Sequence, residues 1–345
     1  MTLAIKSILR QATRKENDKL NIISFPTHER YQSNLASCNA EFYLWHGNGI
    51  KKWDHRFGPL PSNHHLLPHF DGNQNSIDIL QTLPMYVDFD LILSQSKAGQ
   101  YQVAANLAKL LHVGLVNIEH TLPTPQWKAN PSVLNKIKQM KGDINLFISE
   151  YSMGEWGWTE KEAEVIYHGI DTEIFKPLNL PRKQHVLSVV NDWVNRDWCC
   201  GFRLWQASTQ GLPVRTVGDT PGLSLPASSL EDLVNEYNSS QVFINTSLIS
   251  PIPTSLLEAA ACGCAIISTN NCAIPELIKH GENGFLANDP AEINYYAKEL
   301  LLHPDLCIEF GMKARQSVLE KFNKETFVKK WDQIFNRASN IVYKG

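Results

Sequence analysis

The stretch that decides the fold covers residues 250–286, SPIPTSLLEAAACGCAIISTNNCAIPELIKHGENGFL. A Pro-rich loop leads into a predicted helix over 254–262, and a predicted buried strand over 265–268 follows that helix. The first N–H groups of a helix have no intrahelical partner and carry the positive end of the helix dipole. We therefore expect the loop and helix to present a site for an anion such as a diphosphate.

Glu258 lies one turn into this helix, and its position allows two interpretations. Its carboxylate can reach the hydroxyl groups of a sugar beside the bound anion. Alternatively, the tetrapeptide SLLE over 255–258 fits a capping box, in which the glutamate returns to the backbone N–H of the capping residue and contacts no ligand. Taken alone, these residues favour the capping box, whereas the wider pattern favours the ligand.

The wider pattern consists of segments on both sides of this helix. Glu258 is followed by an Ala-rich helix and by the segments GCAIIST, IPELI and GENGFL, and residues 165–177 read VIYHGIDTEIFKP. The first set resembles the C-terminal glycosyl transferases group 1 domain of the retaining glycosyltransferases of family 4, which have the GT-B fold. The second resembles the connection between the two domains of that family.

The first half of the chain carries a third similarity. Residues 90–94 read DLILS, a helix is predicted over 98–111, and residues 113–121 read VGLVNIEHT, as in the N-terminal domain of the same family. The resemblance covers residues 85–335 and is thinnest before residue 85 and over 191–240.

Predicted strands and helices alternate along the chain, which is typical of α/β proteins with parallel sheets and right-handed crossovers. Residues 47–84 are rich in Gly, Pro, Asn and His, and we predict a long loop or irregular insertion there. The predicted strands cover 20–25, 42–45, 91–94, 114–118, 144–148, 164–167, 185–190, 214–217, 242–245 and 265–268. The predicted helices cover 100–111, 202–210, 230–237, 254–262, 291–302 and 304–321.

With 345 residues, the chain is long enough for two domains with separate cores. The resemblance implies an α/β protein of GT-B fold, in which two Rossmann-like domains with parallel sheets face a central cleft. The predicted parts are a disordered extension over 1–19, an N-terminal acceptor-side domain over 20–168, a C-terminal nucleotide-sugar-binding domain over 169–324, and a helix over 325–345 that crosses back to the first domain. An alternative for 1–19 is an interfacial amphipathic helix that finds a lipid acceptor, because basic and apolar residues alternate there.

Charge, cysteine content and hydrophobic runs indicate which partners and which cellular compartment to expect. The formal charge of −3 gives no broad electrostatic basis for nucleic-acid binding. The seven cysteines include no Cys-x-x-Cys pair, so we predict free thiols in a reducing compartment. No run approaches the roughly 18 apolar residues of a membrane span. We predict a cytoplasmic protein, and a weak peripheral contact with a membrane surface stays open.

The resemblance also implies an activity and its partners. In that family, a nucleotide-diphosphate sugar binds the C-terminal domain, a carbohydrate, lipid-linked or protein acceptor binds the N-terminal domain, and a hexosyl group moves with retention and without a metal or cofactor. The histidines at 46, 55, 64, 65 and 69 lack the spacing of a ligand set, so we predict no metal site. The sequence does not specify the nucleotide, the sugar, the acceptor or the oligomeric state.

Donor binding is assigned to the helix start and its preceding loop. The backbone N–H groups around Thr254, Ser255 and Leu256 would hold the diphosphate. Family members have two glutamates separated by seven residues; Glu258 matches the second, which would hold the ribose hydroxyls. Ser250 stands where the first glutamate, which contacts the transferred sugar, is expected. This departure puts sugar recognition and activity in doubt.

A cation is also needed against the developing charge of the departing diphosphate. Family members carry an Arg and a Lys after the first strand of the second domain, but residues 189–203 read VVNDWVNRDWCCGFR and contain no lysine. We predict Arg196 as the diphosphate clamp, with Arg203 as the fallback. The alternative is that Arg196 is a solvated surface residue.

On the acceptor side, His120 follows a predicted strand and matches the active-site histidine of the family. The alternative is a loop histidine with a structural hydrogen bond. His28, Glu29 and Arg30 replace the Gly-rich turn of the family after the first strand and offer groups to an acceptor or a phosphate. The alternative is a helix start capped by Thr27, with Arg30 in solvent.

Two other functions fit the same fold. A nucleotide-sugar-binding protein without transferase activity is suggested by Ser250 and the missing lysine, and it would bind the nucleotide without turnover. A nucleotide-sugar epimerase would isomerise the donor without an acceptor, but the segments over 165–177 and 274–286 resemble the transferases.

Overall fold

The structure is a computed structural model with two compact units. The first unit comprises Met1–Ile166 and Phe327–Gly345, and the second comprises Tyr167–Thr326. The sequence placed these divisions after residues 168 and 324, whereas the structure has them after 166 and 326. The residues that the structure describes are 3–15, 17–47, 52–55, 58–69 and 75–341.

A parallel sheet of seven strands forms the centre of the first unit. Its strands are β1 (Leu20–Phe25), β2 (Ala40–Leu44), β3 (His64–Leu66), β4 (Leu91–Ser94), β5 (Gly114–Glu119), β6 (Ile144–Phe147) and β7 (Glu164–Val165). They lie in the order β3-β2-β1-β4-β5-β6-β7. The strand order therefore reverses between β1 and β4, and ligands of open α/β sheets bind at the carboxyl ends of the strands beside such a point.

The helices of the first unit pack through short apolar faces. One of them has buried residues at Ala104, Leu107, Ala108 and Leu111, which is the spacing of one helix face, and it ends at His112 in the left-handed conformation with φ 57°. This helix contacts both β4 and β5. The helices are α1 (Leu3–Thr13), α2 (Glu29–Asn34), α3 (Ser76–Thr82), α4 (Tyr101–Leu111), α5 (Pro125–Lys128), α6 (Pro131–Lys138) and α7 (Glu150–Glu155).

The prediction that residues 1–19 are disordered is wrong, because most of this segment forms α1. Arg10 and Arg14 form ion pairs with Asp90 at 3.2 and 3.1 Å, and the Asp90 side chain is fully buried. A buried carboxylate needs such partners, since an unpaired charge in the interior is costly. Two of the basic residues that suggested an interfacial helix thus attach the segment to the start of β4. Residues 1, 2 and 16 lie outside the described residues.

The prediction of an irregular region over 47–84 is wrong for two of its parts. The strand β3 pairs with β2, with His64 opposite Phe42, and α3 begins with a capping box between Asn75 and Asp78. A strand of three residues at a sheet edge gives too little periodicity to detect in sequence. Residues 48–51, 56–57 and 70–74 lie outside the described part of the chain.

The second unit is built around a parallel sheet of five strands. These are β8 (Lys183–Val189), β9 (Val214–Val217), β10 (Ser240–Asn245), β11 (Ala265–Ser268) and β12 (Phe285–Leu286), in the order β12-β11-β10-β8-β9. Its helices are α8 (Asp197–Cys200), α9 (Phe202–Ser208), α10 (Leu230–Ser239), α11 (Thr254–Ala261), α12 (Pro290–Leu302) and α13 (Pro304–Lys321).

The Ala-rich helix α11 is buried along most of its length. Its small residues let α13 approach closely, and a Cβ added at Gly311 of α13 would lie 2.1 Å from the carbonyl oxygen of Gly263. Gly263 itself has φ +74°, which favours glycine and ends the helix before β11. The sequence ACGC at this point therefore fixes α11 firmly between sheet and helix.

The last helix, α14 (Lys324–Ser339), supplies Phe327, Trp331 and Phe335 to the core of the first unit. The indole N–H of Trp331 donates a hydrogen bond of 3.2 Å to the hydroxyl of Tyr31. No helix within the described ranges is long and apolar enough to cross a membrane.

Candidate functional site

The N-terminus of α11 is exposed at the carboxyl end of β10, and its first residues form the predicted anion site. Pro253 is the N-cap, and its carbonyl accepts the N–H groups of Leu256 and Leu257 at 3.2 and 3.3 Å. Within the described chain, nothing accepts the N–H groups of Thr254 and Ser255. Two adjacent backbone donors therefore point outward at the positive end of the helix dipole.

The capping box at residues 255–258 does not form. The helix begins at Thr254, so Ser255 is its second residue and Glu258 its fifth, whereas a capping box needs the serine before the helix and the glutamate at the third position. Glu258 is only 2 % exposed, and its Oε2 accepts a hydrogen bond of 2.8 Å from the hydroxyl of Tyr237. Sequence reasoning missed Tyr237, because nothing in its own segment marks it as different from a core aromatic residue.

The loop over 246–253, between β10 and α11, is attached to its neighbours through backbone groups. The hydroxyl of Thr269 donates to Ser247 O at 2.5 Å, and the N–H of Ala273 donates to Pro251 O at 3.0 Å. Ser250 lies half-buried in this loop. The loop sequence, TSLISPIP, contains no carboxylate that could replace the glutamate expected at Ser250.

Helix α8 holds the same loop from the other side. Cys199 O accepts the N–H groups of Leu248 and Ile249 at 2.8 and 3.1 Å, and the hydroxyl of Thr246 donates to Cys200 O at 3.2 Å. The segment after β8 and the segment after β10 are therefore one connected structure. This brings the predicted clamp and the predicted donor loop into the same region of the second unit.

Arg196 and Arg203 differ in what they contact. Arg203 donates its Nε to Asp197 Oδ2 at 2.6 Å, and the backbone N–H of Arg203 lowers the pKa of Asp197 from its usual range. Arg196 is exposed, and in the described residues it forms no ion pair. Its contact is a long hydrogen bond of 3.5 Å from Nη1 to Asn191 O. Arg196 is thus the better placed of the two to meet an anionic ligand.

In the first unit, His120 follows β5 and lies among aromatic rings. Its ring centroid is 4.4 Å from that of Tyr31 and 5.9 Å from that of His28, both edge to face. The structure therefore brings together two residues, His28 and His120, that the sequence singled out separately. Burial raises the pKa of Tyr31 well above its usual value, so Tyr31 stays a neutral hydroxyl.

The turn after β1 starts α2 differently from the predicted alternative. The N-cap is His28, so the alternative with Thr27 as the cap is wrong. Glu29 Oε1 accepts the N–H of Asp54 at 3.3 Å, which connects α2 to the segment over 52–55. Arg30 is half-buried. Of these three residues, His28 is the one exposed to a ligand.

A buried polar cluster near the reversal point of the first sheet was not found from the sequence. Gln32 Oε1 accepts from Ser24 at 2.9 Å and from Gln95 Nε2 at 2.6 Å, and Gln32 Nε2 lies 3.0 Å from His64 Nε2. Burial lowers the pKa of His64 to about 4, so its ring is neutral at pH 7. Among the described residues nothing donates to Gln95 Oε1, which is buried, so the cluster contains one acceptor without a donor.

A second buried group lies beside His120. Glu119 is 1 % exposed; it accepts from the backbone N–H of Lys97 at 2.8 Å and from the Thr121 hydroxyl at 2.7 Å. Burial raises the pKa of Glu119 and lowers that of Lys97 to about 8. The Lys97 Nζ lies 4.6 Å above the ring of Trp158. These contacts fix the strand end that carries His120.

The described histidines do not converge on a metal site. His64 belongs to the polar cluster, His65 Nε2 lies 2.9 Å from Glu41 Oε2, and burial lowers the pKa of His46 to about 4. Over the described ranges, no group of three or more His, Cys, Asp or Glu side chains could hold a metal ion.

The match to a known protein family lies within the second unit. Residues 213–303 match the family model described as glycosyl transferases group 1. Over 82 residues the chain is 39 % identical to N-acetyl-alpha-D-glucosaminyl L-malate synthase of Bacillus anthracis, which covers 23 % of this chain and 22 % of the relative. Over 123 residues it is 26 % identical to alpha-maltose-1-phosphate synthase of Mycolicibacterium smegmatis, covering 33 % and 31 %. The chain thus matches less than a third of the length of these relatives.

Solved structures resemble the chain over nearly its whole length. HepE of Anabaena, in complex with UDP and glucose, has a TM-score of 0.73 at 15 % identity and covers 92 % of this chain and 99 % of its own. Sucrose-phosphate synthase of Thermosynechococcus elongatus has a TM-score of 0.69 at 14 % identity, with coverages of 92 % and 99 %. At this identity the likeness shows the fold, and the prediction of an α/β protein of GT-B fold is confirmed.

Proposed function

We propose that this chain, which has the GT-B fold and whose residues 213–303 match the glycosyl transferases group 1 model, is a hexosyltransferase that uses a nucleotide-diphosphate sugar. The acceptor is a carbohydrate, a lipid-linked glycan or a protein. The bond between the anomeric carbon and the diphosphate oxygen breaks, a bond from that carbon to an acceptor hydroxyl oxygen forms, and the hydroxyl proton passes to an oxygen of the departing diphosphate. Retention of the anomeric configuration and independence from metal ions are parts of the proposal.

One observation carries this proposal: the start of α11. The N–H groups of Thr254 and Ser255 have no acceptor among the described residues, and the buried carboxylate of Glu258 lies one turn below them. Backbone donors at a helix start suit the two phosphates, and a fixed carboxylate suits vicinal hydroxyls of a ribose. The Tyr237 hydroxyl holds this carboxylate in place, so it is positioned before the ligand arrives.

Arg196 completes the donor site in this proposal. Charge develops on the diphosphate as the glycosidic bond breaks, and donors aimed at developing charge lower the barrier. An exposed guanidinium on the segment that α8 ties to the 246–253 loop is suited to that role. We infer UDP as the nucleotide, because HepE is described in complexes with UDP and with UDP-glucose.

For the acceptor we propose the carboxyl edge of the first sheet. His28 and His120 lie edge to face there, and His28 is exposed. Imidazole nitrogens can form hydrogen bonds with sugar hydroxyls. We also propose the cytoplasm as the location, because all seven cysteines are free thiols.

A second candidate is a protein that binds the nucleotide sugar but does not transfer it. Ser250 favours this candidate, since no carboxylate stands in the 246–253 loop to contact the transferred sugar. The two candidates share the nucleotide site and differ in turnover. Release of UDP from a panel of UDP-sugars with glycan acceptors supports the transferase, whereas saturable binding without UDP release supports the second candidate.

The nucleotide site is tested by calorimetric titration of UDP, GDP and ADP into the wild type, Glu258→Ala and Glu292→Ala. Glu292 is the matched control, because it is an exposed glutamate in the first turn of α12. We expect micromolar binding of UDP, a loss of at least about tenfold (1.4 kcal/mol) in Glu258→Ala, and no loss in the control. Absence of nucleotide binding, or equal affinities in both variants, would contradict the donor-site assignment.

A further inference from the structure

Two adjacent cysteines end α8, directly beside the proposed donor site. Cys199 and Cys200 are 5 % and 9 % exposed, and their Sγ atoms lie 3.7 Å apart. The Cys199 thiol also contacts Arg196 O at 3.4 Å. The pair therefore sits between the predicted diphosphate clamp and the loop that leads into α11.

The peptide group between the two cysteines holds that loop. Its carbonyl, Cys199 O, accepts both N–H groups of Leu248 and Ile249, at 2.8 and 3.1 Å. The next carbonyl, Cys200 O, accepts from the Trp193 indole at 2.9 Å and from the Thr246 hydroxyl at 3.2 Å. A change in the orientation of this one peptide group would break both hydrogen bonds to Leu248 and Ile249, while Thr246 stays bound to Cys200 O and Gly201 O.

Bond formation between the two sulfur atoms requires such a change. Neighbouring residues of a helical turn point in different directions, whereas a disulfide needs its Cβ atoms about 3.8 Å apart. Closing a ring that contains the peptide group between the cysteines must therefore alter the backbone angles at both residues. Cys199 O belongs to that peptide group. Formation of the disulfide ring is therefore expected to break the two hydrogen bonds that Cys199 O accepts from the loop.

We propose that Cys199 and Cys200 are a modification site: a peroxide oxidises them to a vicinal disulfide, and this oxidation detaches Leu248 and Ile249 from α8 and weakens donor binding. The Cys199 thiolate attacks a peroxide oxygen, which gives a sulfenic acid and, for hydrogen peroxide, one water. The Cys200 sulfur then displaces the sulfenic hydroxyl group, which leaves with a proton as a second water. Two thiols and one hydrogen peroxide thus become one disulfide and two waters.

The surroundings assign the two sulfurs different roles. The hydrogen bond with the Cys200 thiol, with help from the charge of Arg196, lowers the pKa of Cys199 to about 6, while the pKa of Cys200 is raised. Cys199 is therefore the attacking thiolate and Cys200 the resolving thiol. By contrast, burial raises the pKa of both Cys262 and Cys264, which makes those thiols poor nucleophiles.

The effect on donor binding rests on the proposed function, whereas the disulfide and its effect on the loop do not. The full chain, Cys199→Ser and Cys200→Ser are treated with hydrogen peroxide and then with a dithiol reductant. Mass spectrometry follows the tryptic peptide over 197–203, DWCCGFR, which contains both cysteines and no other. Amide hydrogen exchange follows Leu248 and Ile249, and calorimetry follows UDP.

We expect the wild-type peptide to lose two hydrogens, exchange at Leu248 and Ile249 to rise about tenfold, and UDP affinity to fall about tenfold, with all three reversed by the reductant. Neither serine variant should lose two hydrogens or show faster exchange at Leu248 and Ile249, and Cys200→Ser should instead gain oxygen at Cys199. The proposal is overturned if the peptide keeps two thiols, if the disulfide forms with unchanged exchange, or if the serine variants respond equally. If the reduced protein does not bind UDP, the proposed function is wrong. The peptide mass and the amide exchange still test whether the two cysteines form a disulfide that loosens the loop.

Discussion

The carboxyl edges of the two sheets are built from different kinds of group. In the second unit, the groups offered to a ligand are the backbone N–H groups of Thr254 and Ser255 and the side chain of Arg196. In the first unit, the corresponding edge is a cluster of buried side chains centred on Gln32 and Gln95. A backbone site depends on where a helix starts, which local sequence determines, whereas a side-chain cluster depends on contacts between distant segments.

The same contrast appears in how each edge is held. The second unit relies on close backbone approach, as where a Cβ at Gly201 would lie 2.0 Å from Thr246 O. The first relies on a shared amide, since Gln32 contacts three other buried side chains, namely Ser24, Gln95 and His64. Substitutions that disturb the backbone should therefore lower the stability of the second unit most. Substitutions that remove a polar side chain should lower the stability of the first unit most.

The largest expected effect is that of Gly201→Ala. Gly201 has φ +65°, which costs an alanine about 1–2 kcal/mol, and the contact with Thr246 O forces a further backbone shift. We expect a loss of about 4 kcal/mol in unfolding free energy of the second unit, measured by denaturant titration. Gly211→Ala is the matched control, because Gly211 has φ +73° with nothing within 4 Å of the added Cβ. Equal losses in the two variants would show that close approach is unimportant.

The next effect is that of Gln32→Leu in the first unit. Three buried groups lose a hydrogen bond, and the Ser24 hydroxyl loses its acceptor, whereas Gln95 Nε2 keeps Ser24 Oγ at 3.2 Å and His64 Nε2 keeps the backbone O of residue 32 at 3.1 Å. An unsatisfied buried group costs about 1–3 kcal/mol. We expect a loss of about 3 kcal/mol in unfolding free energy, with UDP affinity unchanged. Gln102→Leu, at an exposed residue of α4, should have little effect. A loss below about 1 kcal/mol in Gln32→Leu would contradict the claim that the buried side-chain cluster stabilises the first unit.

The third prediction concerns pH and the neutral ring of His64. Burial lowers its pKa in the fold from 6.5 to about 4, so the unfolded chain binds more protons between these values. Stability from this residue is fully present above pH 6.5 and is lost as the pH falls towards 4. We expect a loss of about 2 kcal/mol in the wild type relative to His64→Gln, measured by unfolding at pH 7 and pH 4.5. An equal pH dependence in the wild type and in His64→Gln would contradict a buried, neutral His64 ring.

The smallest effect isolates one backbone donor. Thr254→Pro removes the N–H of the first helical residue, where proline is tolerated, and Pro253 already has φ −68° and ψ 128°, which a following proline accepts. We expect UDP affinity to fall about tenfold in Thr254→Pro and to stay unchanged in Thr254→Ala, which keeps the N–H. If Thr254→Ala weakens binding as much as Thr254→Pro, the hydroxyl and not the backbone binds the ligand.

Much of the second unit could be predicted from the sequence. The helix start after Pro253, the Ala-rich helix and the strand β11 have local signals, and the strand bounds at Ala265–Ser268 agree with the prediction. The contact that fixes Glu258 could not be predicted, because Tyr237 lies 21 residues away and reads as an ordinary core residue. Its hydroxyl meets Glu258 because α10 and α11 both contact β10.

The first unit was predicted less completely, for the same physical reason. The strands β1 and β4 have clear apolar runs. In the polar cluster, however, Gln95 lies 63 residues and His64 lies 32 residues from Gln32 in sequence. Likewise, α1 becomes ordered because Asp90 is buried, and the separation between Arg10 and Asp90 is 80 residues. Polar residues in loops and tails carry no signal of burial until the strands that meet them are placed.

The most direct test of the account is to follow the backbone amides of Thr254 and Ser255 by NMR while UDP is added to the isotope-labelled protein. The account predicts saturable shifts at both amides, with slower solvent exchange on binding, and smaller changes at the amides of β3 and α3 in the first unit. Binding of UDP that leaves both amides unchanged would contradict the assignment of the α11 N-terminus as the diphosphate site.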